Sequence, residues 1–110
     1  MQEASMFIAM NRFTVAPGKG EEFEQVWRLR DTYLREVPGI VRFALLRGDA
    51  DNEYISHSTW VSREAFVAWT QSDAFSAGHR QGSLAGILAG PPNIALYEAV
   101  IEEEFSTATA

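Results

Sequence analysis

The sequence predicts an α+β fold of the ferredoxin-like type: a β-α-β-β-α-β order, with two helices on one face of a single antiparallel sheet. Three observations carry this. Four short apolar stretches, at 6–15, 40–47, 54–61 and 94–102, read as strands. Two stretches with helical spacing lie between them, at 20–35 and from 63 onward. The turn chemistry of Pro, Gly, Asn and Asp separates them at the places this order requires.

Met6 to Val15 reads as the first strand. Phe7, Ala9, Phe13 and Val15 share one face, and Met6, Ile8 and Met10 share the other, so both faces need cover. Pro17-Gly18 ends it. Gly20 to Arg35 reads as a helix with one stripe made of Phe23, Val26, Trp27, Arg30, Tyr33 and Leu34. Glu21, Glu22 and Glu24 stand in its first turns, where the helix dipole favours them, and Pro38-Gly39 stops it. Ile40–Arg47 and Tyr54–Val61 form a hairpin across Gly48-Asp49-Ala50-Asp51-Asn52. Ser62 caps a helix running to about Gln71, and Ser72-Asp73 caps a further segment from Ala74 to about Gln81. Gly82 to Asn93 reads as a mobile Gly- and Pro-rich loop. The four-residue recurrence of Gly78, Gly82, Gly86 and Gly90 disfavours a helix there. Ile94 to Glu102 is the last strand, again apolar on both faces, and 103–110 is a fraying tail.

Two helices cover one face of such a sheet. The first and last strands are apolar on the other face as well, so a second copy of the sheet is the simplest cover. A homodimer, paired into an α+β barrel, is therefore expected. The 110 residues suffice for a single domain, 1–110, with a thin core that is rich in aromatics, seven Phe and three Trp.

Composition excludes several kinds of function. The net charge is −6 and no run of Lys or Arg exists, which disfavours nucleic acid. The absence of Cys removes disulfides, thiolate nucleophiles, thiolate-held zinc and iron–sulfur clusters. No leader and no stretch of about 20 apolar residues is visible, so a cytoplasmic protein without membrane association is expected. Paired carboxylates in apolar settings and a nucleophile elbow are both missing.

Three residues remain as carriers of chemistry. By strand parity Asn11 shares the face of Phe7, Ala9 and Phe13; it reads either as a satisfied core amide or as a donor aimed into a pocket. His79 stands one turn after Phe75 among small neighbours. It reads either as a helix-end histidine favoured by the dipole or as a single axial ligand to a haem iron. Trp69, one turn beyond Phe66, reads as core or as the wall of a ligand pocket. His57, between Ser56 and Ser58, reads as structural or exposed.

Three segments stand out: Met10-Asn11-Arg12-Phe13, Thr59-Trp60-Val61-Ser62 with Glu64-Ala65-Phe66 and Ala68-Trp69, and Ser72-Asp73-Ala74-Phe75 with Gly78-His79. On these the chain resembles the IsdG-type haem-degrading monooxygenases, a branch of the antibiotic biosynthesis monooxygenase superfamily. The likeness covers Met6 to Gln81 well and the last strand loosely. The specific part is Asn11 together with the spacing of Trp69 and His79.

The resemblance implies that haem is both substrate and cofactor, opened with O2 and electrons from a reductase or small reductant. It makes His79 the proximal iron ligand. Asn11 becomes a distal donor towards dioxygen or the reacting ring edge, and Trp69 a bulk that ruffles the macrocycle. Phe23, Trp27 and Arg30 would face the haem cleft, with Arg30 near a propionate. Equally, Phe23 and Trp27 are the core face of an amphipathic helix. The superfamily leaves two alternatives: a cofactor-free quinone- or anthrone-type monooxygenase, and a non-catalytic haem-binding dimer.

Overall fold

The structure is a computed structural model, which describes residues 6–30, 33–79, 84 and 86–105, with the side chains of 78 and 79 outside that description. The elements are β1 (Phe7–Thr14), α1 (Gly20–Leu29), a 3-10 turn (Leu34–Glu36), β2 (Ile40–Arg47), β3 (Glu53–Trp60), α2 (Arg63–Thr70), α3 (Asp73–His79) and β4 (Asn93–Glu98). The four strands form one antiparallel sheet in the order β2-β3-β1-β4. This is the expected ferredoxin-like arrangement. No helix among the described residues is long and apolar enough to cross a membrane.

Parity along β1 works as the sequence indicates. Phe7, Ala9, Phe13 and Val15 are buried, whereas Ile8 and Met10 on the other face are half-buried. Ser62 caps α2 by accepting the Ala65 N–H at 3.1 Å, a contact worth about 1 kcal/mol. Ser72 divides α2 from α3: its hydroxyl donates to the Trp69 carbonyl at 2.6 Å and accepts the Phe75 N–H at 3.2 Å. One serine therefore ends one helix and starts the next, setting Trp69 against Phe75.

Several boundaries differ from the sequence reading. The first helix ends at Leu29, not Arg35. Arg30 is extended (φ −80°, ψ 138°) and Tyr33 adopts the left-handed region (φ 60°). Asp31 and Thr32, weak helix formers, lie at this break, and their structure is outside the described residues. Arg30, Tyr33 and Leu34 thus leave the helical stripe. The last strand ends at Glu98 instead of Glu102, because its ladder with β1 runs out at Phe7↔Glu98. The segment after Ser72 starts at Asp73, and Arg80 and Gln81 lie outside the described residues.

The described part of the 82–93 loop is pinned, contrary to the expectation of a mobile connection. Val15 bridges Leu88, Ala16 donates to the Ile87 carbonyl at 2.7 Å, and Ala89 donates to Thr14 at 2.8 Å. The Ile87 side chain is buried among Phe13, Val15, Phe23 and Tyr54. The apolar anchor in this loop outweighs its glycine content.

The core has two parts. One gathers Phe7, Ala9, Leu34, Trp60 and Phe66 at one end of β1; the other gathers Phe13, Val15, Phe23, Tyr54 and Ile87 at the other end. Asn11 lies on β1 between Ala9 and Phe13, at the division between the two clusters.

Candidate active site

A cavity of about 210 Å³ opens at this division. Its floor is the helix-facing side of the sheet. Asn11 pairs across the ladders with Ser56 and Ile94, and Ala9 pairs with Ser58, so the small and polar side chains of β1 and β3 leave a low floor between the larger ones of β2 and β4. Ser58 is buried and satisfied: it donates to the Ala9 carbonyl at 3.4 Å and accepts the Trp60 indole N–H at 2.9 Å.

The roof comes from the ends of helices. Trp69 closes α2 and sits in an aromatic cluster, with ring centres 5.1 Å from Trp60, 6.0 Å from Phe66 and 4.8 Å from Phe75. Its ring packs against the first core cluster and also lines the cavity. Phe75 brings α3 to the cavity. α1 stops at Leu29, and Arg30 and Leu34, just beyond it, both line the cavity.

Arg30 is the charged side chain in the described lining. Its guanidinium lies 4.7 Å from the centre of the Trp27 ring. Burial pulls its pKa below the ordinary arginine range, but a guanidinium stays protonated at any physiological pH. The site is thus an apolar slot with a neutral hydrogen-bonding amide on its floor and a cation at its edge. It suits a flat aromatic molecule bearing an anionic group.

The other residues singled out from sequence are placed as follows. Phe23 is completely buried in the second core cluster and does not line the cavity. Trp27 stands behind Arg30, stacked on Phe43 at 5.8 Å with a 24° interplanar angle. His79 is the last residue of α3, four positions past Phe75; its side chain lies outside the described residues. His57 is on the opposite face of the sheet from the cavity, paired with Met10 and Ala44.

Residues 6–81 match the family described as antibiotic biosynthesis monooxygenase. The chain belongs to the antibiotic biosynthesis monooxygenase family. It is 33% identical over 81 residues to a mycobilin-producing heme oxygenase of Mycobacterium tuberculosis, covering 71% of this chain and 77% of that enzyme. It is also 41% identical over 65 residues to deoxynogalonate monooxygenase of Streptomyces nogalater, covering 58% of this chain and 54% of the relative, so the match spans about half of that enzyme. Among solved structures, it superposes on a heme-degrader from Mycobacterium tuberculosis with two hemes bound in its active site, with a TM-score of 0.72 and 26% identity over 89% of this chain and 99% of the other.

In this chain, sequence reasoning missed Ser56, Ser58, Leu34 and Phe75 as cavity residues. The serines were legible: parity in Tyr54–Trp60 puts Ser56 and Ser58 on the face of the buried Tyr54 and Trp60. A second polar group was also missed. Glu24 on α1 accepts the Tyr54 hydroxyl at 2.6 Å and two Arg47 donors at 2.7 and 2.8 Å, and it pairs with Arg28 at 3.1 Å. These bonds, Tyr54 first and Arg47 second, hold its carboxyl below the ordinary glutamate range. They tie α1 to the β2–β3 hairpin and so fix where the helix end delivers Arg30.

Proposed function

We propose that this chain is a haem-degrading monooxygenase that takes haem into this cavity and opens the ring with O2 and external electrons, releasing iron and a linear tetrapyrrole. One observation carries the reading: Asn11, Trp69 and Arg30 meet at a single cavity whose α3 wall ends at His79. The relation to the mycobilin-producing heme oxygenase supports it.

The residues suit haem in kind. Apolar walls suit the macrocycle, a cation at the edge suits a propionate, and a histidine at the end of α3 is of the kind that would ligate iron. The volume of about 210 Å³ lies below the roughly 300–1,000 Å³ of small-molecule sites, so part of the macrocycle would stand outside it unless the walls part. Bound haem supplies an iron centre for dioxygen reduction and the ring carbon that is oxidised. The protein's own work is positional. His79 would hold the iron, the Asn11 amide would donate a hydrogen bond towards dioxygen or the reacting ring edge, the Trp69 ring would bear on the macrocycle, and Arg30, backed by Trp27, would pair with a propionate. Phe23 supports that wall from the core. The electrons come from a reductase or small reductant. The same reading takes the chain as a single cytoplasmic domain acting as a homodimer.

The test is a haem titration followed by ascorbate under air, with catalase present. A saturable Soret band that decays with iron release supports the proposal. A Soret band that persists points to a non-catalytic haem-binding dimer. His79→Ala should abolish high-affinity ligation, and an unchanged iron spectrum would remove His79 from the site.

A second reading is favoured by the small cavity and by the relation to deoxynogalonate monooxygenase: cofactor-free oxygenation of a quinone- or anthrone-type substrate. The absence of any Soret band, with turnover of an anthrone under air, would select it.

A further inference from the structure

The cavity of about 210 Å³ has a larger neighbour, a cleft of about 440 Å³ lined mainly by residues of α1 and the edge strand β2, and Phe43 lines both. We infer that the Phe43 ring is a movable divider that sets the length of substrate this site admits. With the ring in place the cavity takes a compact fused-ring molecule. With it turned aside the two spaces join into one slot for a flat macrocycle with two acidic groups. The inference rests on the haem reading above for the macrocycle, and it supplies the room that the cavity alone lacks.

The divider has a fixed half and a free half. Trp27 is fixed: its ring packs against the second core cluster, with centres 6.0 Å from Phe13 and 6.3 Å from Phe23, and it carries Arg30 on its face. Phe43 stacks on Trp27 at 5.8 Å, its one ring contact among the described residues. It belongs to neither core cluster and is 36% exposed. Because β2 is an edge strand, no further strand of this sheet flanks Phe43 on its outer side. On the inner side its cross-strand partner is Ser58, and Leu45, next on the same face, pairs with Ser56. A phenyl ring beside two serines has room to change rotamer, and the turn gives up chiefly the stack with Trp27.

The joined slot has the chemistry for such a ligand. Arg30 stands at the cavity edge on one side of the divider. On the other side Arg28 and Arg47 converge on the single carboxylate of Glu24, at 3.1 and 2.7 Å, so that end carries one positive charge in excess. Two cationic points along an apolar slot suit a flat molecule with two carboxylates. The Trp27 indole N–H is buried and meets no acceptor among the described residues. A buried donor without a partner is costly, and an oxygen of a ligand laid along the slot would satisfy it.

Two probes and two substitutions test this on the intact chain. Protoporphyrin IX has the macrocycle and both propionates without iron, so its binding owes nothing to an iron ligand; anthracenecarboxylate is a compact fused-ring acid. Both are titrated by fluorescence. Phe43→Ala should bind protoporphyrin IX about 2- to 10-fold more tightly than wild type, because no stack has to open. Phe43→Trp, which thickens the divider, should bind it at least about 10-fold more weakly. Both variants should bind anthracenecarboxylate within about threefold of wild type, which also shows that they are folded. Parallel changes for the two probes, or protoporphyrin IX affinities equal to wild type in both variants, would overturn the divider; a Soret titration of wild type with haem judges the haem reading separately. If wild type binds anthracenecarboxylate but neither haem nor protoporphyrin IX, the haem reading fails. Porphyrin binding gained by Phe43→Ala would then still support the divider, and no gain would overturn it as well.

Discussion

The Arg30 guanidinium stands over the Trp27 ring, 4.7 Å from its centre, and Trp27 in turn stacks on Phe43. The cation is therefore held at the cavity edge by an aromatic support that reaches back to β2. If it pairs with a carboxylate of the substrate, Arg30→Ala removes a charged hydrogen bond worth about 1.5–3 kcal/mol, roughly a 10- to 100-fold loss of haem affinity. Arg30→Lys should recover only part of this, because an ammonium lacks the planar fork. Equal haem titration curves for Arg30→Ala and wild type would remove Arg30 from binding.

Asn11 tests the floor of the cavity. Asn11→Ala should bind haem to within about threefold of wild type but degrade it at least about 100-fold more slowly, the scale expected for losing one preorganised donor. Single-turnover absorbance kinetics separate the two quantities. Full activity would return Asn11 to a purely structural role.

Trp69 packs in the core and, on the proposed reading, bears on the haem, and two substitutions separate these. Trp69→Ala should cost about 3 kcal/mol of stability, since its ring packs on Trp60, Phe66 and Phe75. Trp69→Phe keeps most of that packing and should stay folded while changing the rate or the product of ring opening. Thermal melts and product chromatography on the same preparations give both answers.

Glu24 predicts an acid limb in stability. Its carboxyl is held below the ordinary range, so the unfolded chain takes up the proton first as pH falls. The stabilisation is complete above the unfolded glutamate value of about 4.3 and is lost as pH drops through the lower folded value. Tyr54 works at the other end. Burial, then Glu24, raises its pKa, so its contribution holds below about 10 and is lost as pH rises through the folded value. Denaturant unfolding across pH should show Glu24→Gln less stable at neutrality with a flatter acid limb. A limb of unchanged slope would mean that another carboxylate carries it.

Gly39 and Gly86 make a paired test of backbone against space. Both have positive φ, +88° and +82°. A Cβ at Gly39 would come within 2.5 Å of the Ala65 Cβ, whereas one at Gly86 would meet nothing within 4 Å. Gly86→Ala should cost about 1 kcal/mol from the backbone alone, and Gly39→Ala about 2–4 kcal/mol because crowding adds to it. At about 4–8 °C per kcal/mol for a small domain, the two melting temperatures should differ clearly.

The order of elements, the buried face of β1 and the Ser62 cap are legible in the sequence alone. These depend on local rules: alternation along a strand, spacing along a helix, and a serine hydroxyl within reach of an N–H three residues on. Asn11 could be placed on the inner face from parity alone. That it lies between two separate core clusters, paired with Ser56 and Ile94, depends on strands distant in sequence. That α1 stops at Leu29, that Ile87 pins its loop and that β4 runs out of partner at Glu98 follows from contacts between distant segments. Helical spacing continues through Arg30 to Leu34 whether or not the chain is helical there. The cavity is the space left where helices cease to cover the sheet, and that is set by packing between distant segments, which no local pattern encodes.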